Sequence, residues 1–286
     1  MISKLQIPVI LVLGTLLVGC QKPGPVEIAP TDPDDVLVVE PIDQTNSQFD
    51  VQSIDSTGIP ASSLYPLAGY FLVNRVSIDK GQGVRSFAFS AVLLADRNRP
   101  ILCGDQRIRG YHGVFIPSLS LNGQPMVILP HIIRSCSDTV QAGFEYLLDL
   151  TSSYQSNSRY RWGFRSLLGD SLGIEVNTPD TLTLIRPAGG SVQRRNQGMP
   201  VEWTGMGKLH IIVSEVAANG KLSPLFLLRP KLNRGHANIP PSVLRRRSPG
   251  VYALTFVLAN QELMTAPTGV VFTQAASIHT TFFVLQ

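Results

Sequence analysis

Thiol chemistry is nearly absent from this chain, which has three cysteines, Cys20, Cys103 and Cys136, in 286 residues. Their spacing fits no Cys-x-x-Cys pattern, which excludes the common structural zinc modules. Histidine is equally sparse. The five that occur, His112, His131, His210, His236 and His279, are scattered, and no two share a ligand-like spacing. Neither a metal site nor a cofactor is expected. Charge is scarce as well, at 15% Asp, Glu, Lys and Arg against 44% hydrophobic residues. That balance excludes a chain disordered throughout and predicts a large buried core. After residue 20 no apolar run reaches the about 20 residues that a membrane-spanning helix needs. No helical pattern exceeds two turns.

What is present begins with export chemistry. Met1-Ile2-Ser3-Lys4 carries one positive charge, and Leu5 to Leu17 is apolar apart from Gln6 and Thr15. A charged start, a short apolar stretch and small residues before a cleavage point describe a signal peptide, here residues 1–19. Leu17-Val18-Gly19-Cys20 resembles the bacterial lipobox. The resemblance implies diacylglycerol on the Cys20 sulfur, cleavage before Cys20 and acylation, such as by palmitate, of the new amine. Two or three acyl chains anchor a protein stably where one does not. Gln21 follows, where Asp would retain such a protein in the inner membrane. The expected location is therefore the outer membrane, with the periplasmic or surface face left open.

Charge is distributed unevenly along the chain. Residues 21–58 carry one basic and eight acidic residues, a net of −7; residues 59–180 carry eleven and nine, a net of +2; residues 181–286 carry eleven and three, a net of +8. The first stretch, with Pro23, Pro25, Pro30, Pro33 and Pro41, reads as a disordered tether spanning residues 20–58. As a coil of 38 residues it would reach about 35 Å. Val36-Leu37-Val38-Val39 is the exception and is suited to an edge strand.

From Ile59 the pattern has period two. Phe87, Phe89, Ala91 and Leu93 alternate, as do Phe144, Tyr146 and Leu148, then Tyr252, Leu254, Phe256 and Leu258. Alternation of this kind marks strands with one buried face. Asn122-Gly123 between apolar runs is a hairpin cue. The expected class is all-β, with two β-sandwich domains at residues 59–177 and 178–286. In the second, Arg186-Pro187-Ala188-Gly189-Gly190, Val201-Glu202-Trp203 and Gly250-Val251-Tyr252 resemble bacterial immunoglobulin-like modules. That resemblance implies a fold and no activity, and it implies that Trp203 is a core residue.

Gly169-Asp170-Ser171-Leu172 matches the signature of GDSL-type hydrolases, with Ser171 as the nucleophile. Those enzymes draw their base from an Asp-x-x-His, and none of the five histidines has Asp three residues before it. A turn between strands is the competing reading. The arginines Arg194, Arg195, Arg245, Arg246 and Arg247 form an anion-binding candidate, because the planar guanidinium fork matches phosphate and carboxylate; the competing readings are a solvated loop surface and pairing with the acidic tether. Fitting partners are lipid headgroups, acidic polysaccharide or peptidoglycan carboxylates. Nucleic acid is not expected, since no recognition helix or stacking motif accompanies the charge. Cys103 and Cys136 are an even pair in an exported chain, which points to a disulfide, with two buried free thiols as the alternative. The expected function is a non-catalytic, membrane-anchored binding or structural lipoprotein. The alternatives are a cell-envelope hydrolase using Ser171 and a docking subunit of an envelope assembly or export complex.

Overall fold

A computed structural model describes residues 26–27, 37–42, 67–102, 108–135, 138–165, 171–266 and 269–286. The signal peptide, Cys20, Cys103 and Cys136 lie outside the described residues. The fold is all-β. The first half contributes β1 (Val26–Glu27), β2 (Leu37–Pro41), β3 (Leu67–Asp79), β4 (Val84–Leu102), β5 (Ile108–Gly113), β6 (Leu119–Leu121), β7 (Gln124–Pro125), β8 (Val127–Ser135), β9 (Asp138–Asp149), β10 (Arg159–Arg165) and β11 (Ser171–Asn177). The second half contributes β12 (Thr183–Arg186), β13 (Ser191–Gln193), β14 (Met199–Thr204), β15 (Leu209–Val216), β16 (Leu222–Pro230), β17 (His236–Ile239), helix α1 (Pro241–Leu244), β18 (Gly250–Ala266) and β19 (Gly269–Leu285).

Twelve of these strands form one sheet in the order β1-β2-β16-β15-β18-β19-β3-β4-β9-β8, with β13 added to β19 and β5 to β4. Two small sheets, β11-β10-β6-β7 and β12-β14-β17, complete sandwich-like layers. The long strand β19 joins the two halves. It pairs antiparallel with β18 from Leu285 to Gly269 and parallel with β3 from Val270 to Thr281. Where β3 stops, β13 takes over beside Phe283 to Leu285.

Alternation along β19 explains the core. Val271, Ala275, Ser277, His279, Thr281, Phe283 and Leu285 share one face. Val271 and Ala275 pack with Phe71, Tyr146 and Trp162 under the sheet β11-β10-β6-β7. Phe283 and Leu285 pack with Trp203, Tyr252 and Phe256 under β12-β14-β17. Between the two apolar clusters the same face turns polar. There Ser277 Oγ accepts a hydrogen bond from the Leu182 N–H at 2.9 Å, and His279 Nδ1 accepts one from the Leu184 N–H at 3.4 Å. A chain crossing over a buried face must find partners for its backbone donors, and these two side chains provide them.

The two halves on either side of 177/178 share one sheet, and each apolar cluster draws on both: Val271 and Ala275 pack with residues of the first half, Leu37 and Val39 with residues of the second. The reason is non-local. The C-terminal strand pairs with the first long strand of the chain, and only assembly reveals such a partner. Asp79 reinforces the junction by accepting from the N–H groups of Gly81 and Gly189, each at 2.9 Å. A Cβ on Gly189 would lie 2.4 Å from the Asp79 carboxylate, so this close approach requires glycine.

Within residues 20–58, expected to be a tether apart from an edge strand at Val36–Val39, the strands β1 and β2 extend the main sheet. Leu37 and Val39 are buried in the second core. Glu40 accepts from Arg229 Nη1 at 2.8 Å across the pair β2–β16. At β2 the apolar alternation of Leu37 and Val39 outweighs the acidic composition around it, because β16 offers a strand edge to pair with. The hairpin at Asn122-Gly123 forms as expected between β6 and β7, with both residues at positive φ, 48° and 81°.

Candidate anion-binding cleft

The second core ends at α1. Pro241 opens this helix, where a missing N–H and a fixed φ are tolerated. Val243 and Leu244 point into the core and are buried. The Arg245 N–H then donates to the Pro241 carbonyl at 2.7 Å, and the Arg247 N–H to the Leu244 carbonyl at 2.9 Å. This tight turn leaves Arg245 and Arg246 exposed and Arg247 half-buried. On the other side lies β16, with Phe226 opposite Val213 of β15 and Pro41 of β2. Phe226, Pro241, Ser242, Val243, Arg245, Arg246 and Arg247 together line a cleft of about 510 Å³.

Arg247 is held in place from two directions. Its guanidinium sits over the Phe226 ring, 4.9 Å from the centroid. Its carbonyl accepts from Arg195 Nη1 at 3.2 Å. Arg195 reaches this position because its own N–H donates to the Gln286 carbonyl, which ties the turn after β13 to the chain's C-terminal residue. The Nε of Arg247 is buried with no hydrogen-bond partner. Tyr252 lies nearby and donates to the Ser248 carbonyl at 2.9 Å. Burial and then the charge of Glu215 raise its pKa, while Arg247 and Arg195 pull it back.

The structure thus brings Arg195 together with Arg245, Arg246 and Arg247. Arg194 is exposed and does not line the cleft. Phe226, Pro241, Ser242 and Val243 were not singled out by sequence. Phe226 belongs to a strand 15 residues before Pro241, and nothing local signals that an arginine will stack on it. None of the five candidate arginines forms an ion pair among the described residues. By contrast Arg159 and Arg161 pair with Glu175, Arg186 with Glu202, and Arg229 with Glu40.

The other candidates are distributed differently. Ser171 opens β11 opposite Arg165 of β10 in an antiparallel hairpin. Gly169 and Asp170, and the side chain of Ser171, are outside the described residues. Tyr160 and Trp162 are buried on one face of β10, and Trp162 Nε1 donates to Ser90 Oγ at 3.0 Å. His210 has its pKa lowered to about 4, first by burial and then by Arg229 and Lys208, so its imidazole is neutral near pH 7. His279 is buried in the seam already described, and burial is the largest cause lowering its pKa. Among the described residues no group of three or more His, Cys, Asp or Glu side chains is placed to hold a metal ion. No known protein-family model and no curated protein matches this chain.

Proposed function

We propose that this chain is a non-catalytic lipoprotein of the bacterial outer membrane, anchored through Cys20, that binds an anionic component of the cell envelope. The observation that supports the binding role is the cleft in which Arg245, Arg246 and Arg247 meet without acidic partners among the described residues. Guanidinium groups gathered on one wall attract carboxylate or phosphate, and each can bind it in a forked, two-bond geometry. Hydrolysis through Ser171 has no comparable support, since its segment leads into an antiparallel hairpin. We place the second half with immunoglobulin-like modules, a reading supported by Trp203, which packs between β14 and β18 with its ring 5.7 Å from Phe256.

The test of anion binding uses the full chain carrying Cys20→Ser, so that lipid does not dominate adsorption. It should be retained on heparin, a sulfated polyanion, and elute with salt, because exposed charge pairs are screened over about 10 Å at 0.1 M. R245Q/R246Q/R247Q should elute at clearly lower salt. Unchanged elution of that variant would remove the cleft as the binding site.

The disulfide between Cys103 and Cys136 remains part of the proposal. Its support comes from the described neighbours. Leu102 pairs with Ile108 and Ser135 with Asp138. Ile101 of β4 packs against Ala142 and Val140 of β9, which brings those two strands together near the sequence positions of the cysteines. Closing a loop of about 34 residues should stabilise the fold by roughly 3–4 kcal/mol in the chain-entropy model. Mass spectrometry of the unreduced exported protein should find the two cysteine peptides linked. Quantitative alkylation of both thiols without reductant would rule the bond out.

A further inference from the structure

The size and two-sided lining of the arginine cleft say what kind of anion it takes, an inference that rests on the anion-binding reading above. A bare phosphate or sulfate has five heavy atoms, whereas a volume of about 510 Å³ falls in the range of roughly 300–1,000 Å³ that holds drug-sized ligands. The charged wall is Arg245, Arg246 and Arg247. The remaining wall is largely apolar, formed by Phe226, Pro241 and Val243 with the hydroxyl of Ser242.

Arg247 stands where the two chemistries meet. Its guanidinium is stacked on Phe226 and its backbone is held by Arg195, so its position is set before any ligand arrives. Arg195 and the three cleft arginines lack ion-pair partners among the described residues, which suits a doubly charged group better than a single carboxylate. We infer that the cleft binds a phosphomonoester carried on an apolar body, with the phosphate on Arg245–Arg247 and the body over Phe226, Pro241 and Val243. A phosphorylated lipid and an aryl phosphate share this chemistry.

The experiment is isothermal titration of the full chain carrying Cys20→Ser with four probes: inorganic phosphate, phenyl phosphate, dihexanoyl phosphatidic acid below its micelle concentration, and dihexanoylglycerol. At least one of the two organic phosphates should bind tenfold or more tightly than inorganic phosphate, about 1.4 kcal/mol, and dihexanoylglycerol should not bind measurably. Which of the two binds more tightly identifies a lipid or a ring as the body. R247Q should weaken the preferred phosphate about tenfold. F226L keeps apolar volume in the core but removes the ring under Arg247, and it should shrink the preference over inorganic phosphate to within about threefold. A melting curve for each variant confirms that it is folded. Equal affinity for all three phosphates, or a preference untouched by F226L in folded protein, overturns the inference and leaves general anion binding intact. Failure of all phosphates to bind, together with loss of heparin retention, overturns both.

Discussion

Trp203→Ala is expected to lower stability by about 3–5 kcal/mol, the range for removing a buried large aromatic. Trp203 is 2% exposed. It shares a face of β14 with Val201 and Met199, all turned into the second core. Its ring lies 5.7 Å from that of Phe256 on β18, so it spans the gap between the small sheet and the main sheet. Such a side chain buries on the order of 200 Å². Its indole also carries a structural hydrogen bond. Nε1 donates to Asn233 Oδ1 at 2.8 Å, and the Asn233 amide donates to the carbonyls of Gly205 and Gly207, each at 3.0 Å. Alanine therefore opens a cavity and also frees the side chain that ties two loops together. With a typical total stability of about 5–15 kcal/mol, the melting midpoint should fall by roughly 10 °C. Trp203→Phe should retain most of the packing and lose mainly the bond to Asn233. In a Trp162→Phe background, Trp203 should emit blue-shifted fluorescence and resist quenching. Red-shifted, readily quenched emission from folded protein would show that Trp203 is not a core residue.

Cys20→Ser should convert the protein from fully membrane-bound to soluble. Each buried methylene contributes about 0.8 kcal/mol to partitioning, so two or three acyl chains give an essentially permanent anchor. A serine hydroxyl does not accept the diacylglycerol that the resemblance to the lipobox places on the thiol. With the lipid as the anchor, the serine variant should move from the detergent phase to the aqueous phase in a temperature-induced partition, and its mass should lack the lipid increment. Retention of the variant in the detergent phase would place the anchor elsewhere in the chain.

Strand positions were largely legible because side chains alternate with period two, and a half-buried strand shows this in any window of eight residues. Phe87 to Leu93 and Tyr252 to Leu258 are strands as expected, but neither has only one buried face: Ala88, Ser90 and Val92, and Ala253, Thr255 and Val257, are buried as well, because both faces of the main sheet are covered there. Trp203 was legible for the same reason, as the inward residue of an alternating run. The limits of the tether were only partly legible. Val36 to Val39 stood out as a strand, but acidic composition pointed the other way, and the free edge of β16 decided the matter. The cleft was half legible. The three consecutive arginines were visible as charge, whereas Phe226 was not, because stacking depends on two segments meeting in space. Arg194 and Arg195 look equivalent in sequence. The tertiary structure distinguishes them, through the bonds of Arg195 to the Gln286 and Arg247 carbonyls.

By itself the sequence determined the all-β class, the places where strands turn and the uneven spread of charge, because each depends on neighbours within a few residues. The tertiary structure decided which strands pair, and so made one twelve-stranded sheet from two halves that read as separate. Pairing of β19 with β3 joins residues about 200 positions apart, and loop closure over such distances leaves no local mark on the chain. The same holds for the polar seam at Ser277 and His279. In sequence they are unremarkable members of a strand, and they acquire their role only when the backbone of Leu182 and Leu184 crosses above them.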